Sequence, residues 1–100
     1  MINASLFNYG DIVRLKQLLA NTNIELGDYG VVWAVYEYYT DENKTVIEFD
    51  YEGTFENRKG DNIDSMFEKE NIEKILEIED AHFSESMKKL WLYINEKAME

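Results

Sequence analysis

Three tyrosines, Tyr36, Tyr38 and Tyr39, end the stretch "VVWAVYEYY", and the acids Asp41 and Glu42 follow directly after Thr40. Aromatic faces beside carboxylates can hold an Arg or Lys side chain by cation–π contact and ion pairing together. Tyrosine is also enriched among the residues that dominate interface energies. Further along, "TVIEFDYE" alternates strictly, which sets Ile47, Phe49 and Tyr51 on one face and Glu48, Asp50 and Glu52 on the other. The candidate partner-binding residues are therefore Tyr36, Tyr38, Asp41, Glu42, Asp50, Glu52 and Glu56. The same tyrosines also suit an ordinary strand wall, with rings buried and hydroxyls wet. Both readings stand at this point.

Other chemistry finds little to rest on. His82 is the only histidine, and there is no cysteine. A lone histidine between Asp80 and Phe83, just before a helical stretch, reads as a surface or capping residue rather than a general base. No Ser, Thr or Lys stands in a readable pairing with a base, so a hydrolase or isomerase reading has no activated group behind it. The glycines form no phosphate-binding loop. "DYEG" (50–53) and "DNID" (61–64) offer oxygen ligands of the kind Ca²⁺ or Mg²⁺ accepts, but neither has the spacing of an EF-hand loop. Zinc would want cysteine or several histidines. No catalytic residue, metal or cofactor is expected.

Charge narrows the partner. The net charge is −11, and it is uneven: residues 1–40 carry four acids against two bases, residues 41–82 fourteen against five, and residues 83–100 three against three. Such a surface repels phosphate backbones and anionic membranes and steers basic partners toward it. Nucleic acid and membrane are thus disfavoured, and a basic protein is favoured. With 45% hydrophobic residues the chain is too apolar for disorder. No apolar run reaches the roughly 20 residues of a membrane span. "MINASLFNYGD" lacks the basic and long apolar regions of a secretory signal, so a cytoplasmic location is expected.

The elements that must position these residues follow from periodicity. All 100 residues are expected to form one domain. "DIVRLK" (11–16) alternates as a first strand; "QLLANTN" (17–23) breaks it. "GDYG" (27–30) supplies a tight turn or bulge, and a long strand runs from Val31, with Val31, Trp33 and Val35 on one side. "TDENK" (40–44) reads as a hairpin loop and 45–52 as its return strand, stopped by Gly53. "TFENRKG" suits a short further strand before a turn at "GDNID". Residues 65–78 read as helix by propensity, or as a closing strand after a 3₁₀ turn at "EKEN"; the strand is preferred because the preceding β-segments need a partner. Phe83, Met87, Leu90, Trp91 and Ile94 then make one apolar helical stripe, with Ser84 as N-cap, docking on the sheet. The expected fold is α+β, mainly β: about five antiparallel strands, then a C-terminal amphipathic helix at 83–98.

"YGDIVRLK", "IELGDYGVVWAVYE", "VIEFDYEG" and "ENIEKI" together resemble small bacterial SH3-like barrel proteins of the immunity-protein type, found in polymorphic toxin systems. Gly10, Asp11, Val13 and Leu15 match the first strand of that pattern. Gly27, Asp28, Gly30 and Val32 match its turn and second strand, and Ile47, Glu48 and Phe49 its third. The likeness covers residues 9–78, although many KOW-like and SH3-like barrels share such a glycine turn. Segment 54–67 is longer than the pattern, and the helix at 83–98 is an addition. The resemblance implies an SH3-like antiparallel barrel over 9–78. It also implies a small cytosolic protein that binds and blocks a cognate toxin domain, as a monomer or weak homodimer. The alternative is a general SH3-like interaction module, or a small homo-oligomer.

Overall fold

The computed structural model describes residues 5–20 and 23–98. Residues 1–4, 21–22 and 99–100, which include part of the opening stretch and of the turn read at 17–23, lie outside the described residues. Five strands form one antiparallel sheet: β1 Ile12–Leu15, β2 Tyr29–Tyr39, β3 Ile47–Glu56, β4 Asn62–Phe67 and β5 Ile72–Ile75. Their order across the sheet is β4-β3-β2-β1-β5. One helix, α1 Glu85–Ala98, follows. The chain is thus a small α+β protein with a C-terminal helix.

The sheet buries both faces. Val13, Leu15, Val32, Tyr51, Phe55, Phe67 and Ile72 point to the concave side, where Phe7 and Ile24 join them. Ile12 and Val31 point to the other side and meet Phe83, Met87 and Ile94, with Trp33, Leu90 and Trp91 packed around them. Alternation along β1 therefore feeds two cores, and the helical stripe docks on the second. Met87 is fully buried there. The Ser84 hydroxyl accepts from the amide of Met87 at 3.3 Å, as an N-cap should.

The barrel expected from the resemblance is not closed. Among the described residues no ladder joins β4 to β5, although Phe67 and Ile72, one from each, share the concave core. The gap is held by the linking 3₁₀ turn, Lys69–Asn71. The Asn71 carbonyl accepts the amides of Lys16 and Gln17 at 2.7 and 3.2 Å, and its side chain accepts the amide of Glu68 at 2.8 Å. The turn thereby ties the link between β4 and β5 to the end of β1.

Three boundaries differ from the sequence reading. Gly53 does not stop a strand: β3 runs through it to Glu56, and the position is glycine because a Cβ there would collide with the carbonyl of Val31 on β2. Residues 54–56 extend β3 instead of starting a further strand, and the polar "NRKG" is the turn. Part of "GDNID" is strand, since β4 begins at Asn62. The preferred reading of 65–78 holds in its main feature, β5 following a 3₁₀ turn. Its first three residues, however, complete β4.

Candidate protein interface

The β2–β3 hairpin is the longest feature of the sheet, and a bulge decides what it displays. The register shifts between Val32 and Ala34. Before the shift, Val31 and Trp33 face the helix; after it, Val35 packs against the concave core, not beside them as strict alternation would have it. Tyr36 and Tyr38 consequently fall on the convex face. There Tyr36 lies opposite Asp50, Tyr38 opposite Glu48, and Ala34 opposite Glu52. Tyr39 is opposite Ile47 and alternates to the other side, so the three tyrosines do not form one row.

Tyr36 and Tyr38 are 46% and 43% exposed, which settles the question of wall against surface in favour of surface. The hydroxyl of Tyr36 donates to Glu52 Oε1 at 2.8 Å. That bond raises the phenol's pKa above its ordinary value, with desolvation and the Glu52 charge adding to it. For Tyr38 desolvation acts first, and the charges of Asp50, Glu48, Glu68 and Glu70 push the same way. Negative charge from β3 and from the turn after β4 therefore acts on one exposed ring.

The remaining candidates divide by role. Asp41 builds the hairpin loop: its Oδ1 accepts the amides of Thr45 and Val46 at 2.8 and 3.0 Å, and its Oδ2 accepts the Thr45 hydroxyl at 2.5 Å. The Thr45 side chain first, then the Val46 amide, hold its carboxyl below the usual carboxylate range. Glu42 is exposed at the tip of that loop. Glu56 stands apart from the tyrosine face. Its carboxylate accepts the amide of Ser84 at 3.0 Å and also the Ser84 hydroxyl, which ties the end of β3 to the start of α1. Asp50 is less exposed than its neighbours at the tip, and its Oδ1 is closed off from solvent with no hydrogen-bond partner.

His82 lies in a cleft of about 490 Å³ with Ser84 and Glu56. Its backbone is left-handed, φ 53°, and its ring meets the edge of Tyr29 at 6.1 Å. Ser84 spends its hydroxyl on Glu56 and on the helix cap, so the cleft presents a helix terminus already filled by a carboxylate. Among the described residues, no group of three or more His, Cys, Asp or Glu is placed to hold a metal ion, and no helix is long and apolar enough to cross a membrane.

No protein-family model matches the chain, and neither the curated proteins nor the solved structures contain a significant match. The fold adds residues the sequence reading missed: Glu68 and Glu70, whose charges act on Tyr38, and Met66 opposite Glu52. Met66 is 53% exposed.

Proposed function

We propose that the chain is a non-catalytic, SH3-like protein-binding module that acts as an acidic immunity or inhibitor protein, binding and neutralising a cognate basic bacterial toxin domain in the cytoplasm. The observation that carries this reading is the uncovered convex face of the β2–β3 hairpin, where half-exposed Tyr36 and Tyr38 stand among Glu48, Asp50 and Glu52. Rigid aromatic anchors ringed by charge are what a tight, fast-associating interface with a basic partner requires. The net charge of −11 attracts such a partner at long range and opposes a second copy of the chain. The strand order, with a 3₁₀ turn leading into β5, supports the SH3-like assignment.

A second reading, weak self-association, is favoured by one feature: β4 and β5 each leave an edge without a strand partner among the described residues. Sedimentation at rising salt separates the two, since screening weakens hetero-association with a basic protein and strengthens contact between like charges.

The decisive experiment captures partners from a lysate of the source organism on the immobilised chain and elutes them across a salt gradient. One stoichiometric basic protein, released only at high salt and lost when Tyr36→Ala is combined with Asp50→Lys and Glu52→Lys, is the expected result. A scatter of weak partners retained equally by both chains would overturn the reading.

A further inference from the structure

The two strands at the edges of the sheet are not alike. β5 is four residues long and carries Glu73 and Lys74 side by side. A two-fold axis through either residue would set that charge against its own copy. Short, charged edges are how folded proteins avoid pairing with a neighbour. β4 has none of these guards. It is six residues long, keeps an unbroken register with β3 from Asn62 to Phe67, and contains no proline. Its one charged side chain, Asp64, is drawn back onto β3, where Oδ1 accepts the Thr54 hydroxyl at 2.7 Å. Residues 18–20 stand across an open groove of about 410 Å³ from Met66 and Phe67.

Pairing β4 with itself discriminates sharply between registers. Ile63, Ser65 and Phe67 lie opposite Phe55, Gly53 and Tyr51 and share the concave face, while Asn62, Asp64 and Met66 share the other. Two copies that extend one sheet about a two-fold axis keep their faces, so the axis must pass through a residue. At Asp64 it sets that carboxylate against itself. At Met66 it sets Asp64 against Glu68 of the second copy. Nearer either end, three strand residues or fewer remain in the ladder. At Ser65 these faults disappear. Ile63 then meets Phe67 of the second copy on the concave face, half-exposed Met66 meets Asp64 on the other, and two small hydroxyls flank the axis.

We propose that two copies of the chain join β4 to β4 about a two-fold axis at Ser65, so that the five strands of each form one continuous sheet. The inference rests on the self-association reading above and names its edge and register. Because β2 and β3 lie inside the sheet, both tyrosine faces stay uncovered and the dimer presents them together.

The chain has no cysteine, so Ser65→Cys introduces a single thiol at the axis. Directly opposite Cβ atoms of an antiparallel pair lie about 4.5–5.5 Å apart, close to the span of a disulfide. Oxidation of full-length Ser65→Cys at high salt is expected to give a covalent dimer much faster than oxidation of Glu73→Cys on β5. Sedimentation equilibrium of the unaltered chain should show monomer and dimer, with the dimer favoured as salt screens the net charge of −11. Met66→Glu, which faces Asp64 of the second copy, should weaken the dimer by roughly tenfold through two like-charge pairs. Met66→Lys should strengthen it, and the same two exchanges at half-exposed Leu92 on α1 should move it far less. A dimer whose Ser65→Cys chain oxidises no faster than Glu73→Cys would overturn the register and leave self-association standing. A monomer at every concentration and salt would overturn both. Species larger than a dimer would mean that β4 pairs with β5 of the next copy, and would overturn the proposal as well.

Discussion

The Tyr36 hydroxyl and Glu52 Oε1 are joined at 2.8 Å across the convex face of the sheet, from β2 to β3. The bond locks one anchor of the proposed interface to a carboxylate whose other oxygen remains free to accept from a partner. It also stabilises the protonated phenol. Tyr36 and Tyr38 both have folded pKa values above the ordinary phenol value of about 10. Their contribution to stability is whole below that pH and is lost as pH rises through the raised folded values. Ultraviolet titration of the phenolates is expected to show two late-titrating tyrosines, with Glu52→Gln bringing Tyr36 back toward the ordinary value. Superposable titrations of the two chains would mean that the bond does not form in solution.

Asp41 carries the opposite sign. Its carboxyl is held below the ordinary value of about 3.9 by Thr45 and Val46. Its support of the hairpin loop is therefore complete above that pH and disappears as pH falls through the lowered folded value. Hydrogen exchange at the Thr45 and Val46 amides should accelerate in Asp41→Ala at neutral pH, while amides in β1 keep their protection. Unchanged exchange at Val46 would count against the three-bond cage.

Gly53 is expected to tolerate no side chain. A Cβ there meets the Val31 carbonyl, which is backbone and cannot swing aside. Gly53→Ala should destabilise by about 1–3 kcal/mol, the usual range for overpacking, and should disturb the bulge that sets the faces of Tyr36 and Tyr38. Denaturant unfolding gives the energy; a stable, unperturbed Gly53→Ala chain would show that the strands are further apart than described.

A relay crosses three strands beside the helix. Trp33 Nε1 donates to the Thr54 hydroxyl at 3.0 Å, and that hydroxyl donates to Asp64 Oδ1 at 2.7 Å. Thr54 is 6% exposed, so its replacement by valine strands the indole N–H and should destabilise by about 1–3 kcal/mol. Thr54→Ser, which keeps the hydroxyl, should recover most of the loss. The indole proton resonance of Trp33 should move in the valine chain and not in the serine one.

How much of this could be read from residues alone depends on whether a pattern repeats. The strict alternation of Ile47, Phe49 and Tyr51 against Glu48, Asp50 and Glu52 assigned both faces of β3 correctly. The stripe from Phe83 to Ile94 likewise found the docking face of α1. The bulge was hidden because Val31, Trp33 and Val35 look equally apolar wherever the strand slips by one. Its only outward mark is Gly53 across the ladder, which reads as a strand end until a close approach is seen. β4 was missed because Ile63 and Phe67 are its only buried or partly buried apolar side chains, with Met66 left in solvent. In the site, Tyr36 and Tyr38 lie opposite Asp50 and Glu48 only because of the bulge, which strict alternation did not foresee. Glu68 and Glu70 sit on and beside a 3₁₀ turn, where no period projects a side chain onto a particular face.

The pairing of β1 with β5 sets Ile12 opposite Ile75 and Leu15 opposite Ile72, joining the two ends of the sheet's sequence. The β2–β3 and β3–β4 ladders can form from neighbouring chain, but this one has to wait for a long loop to close. Until it does, the edge of β1 away from β2 lacks its partner. The slow step of folding, and the moment of greatest exposure to aggregation or proteolysis, is therefore expected at the docking of a four-residue strand.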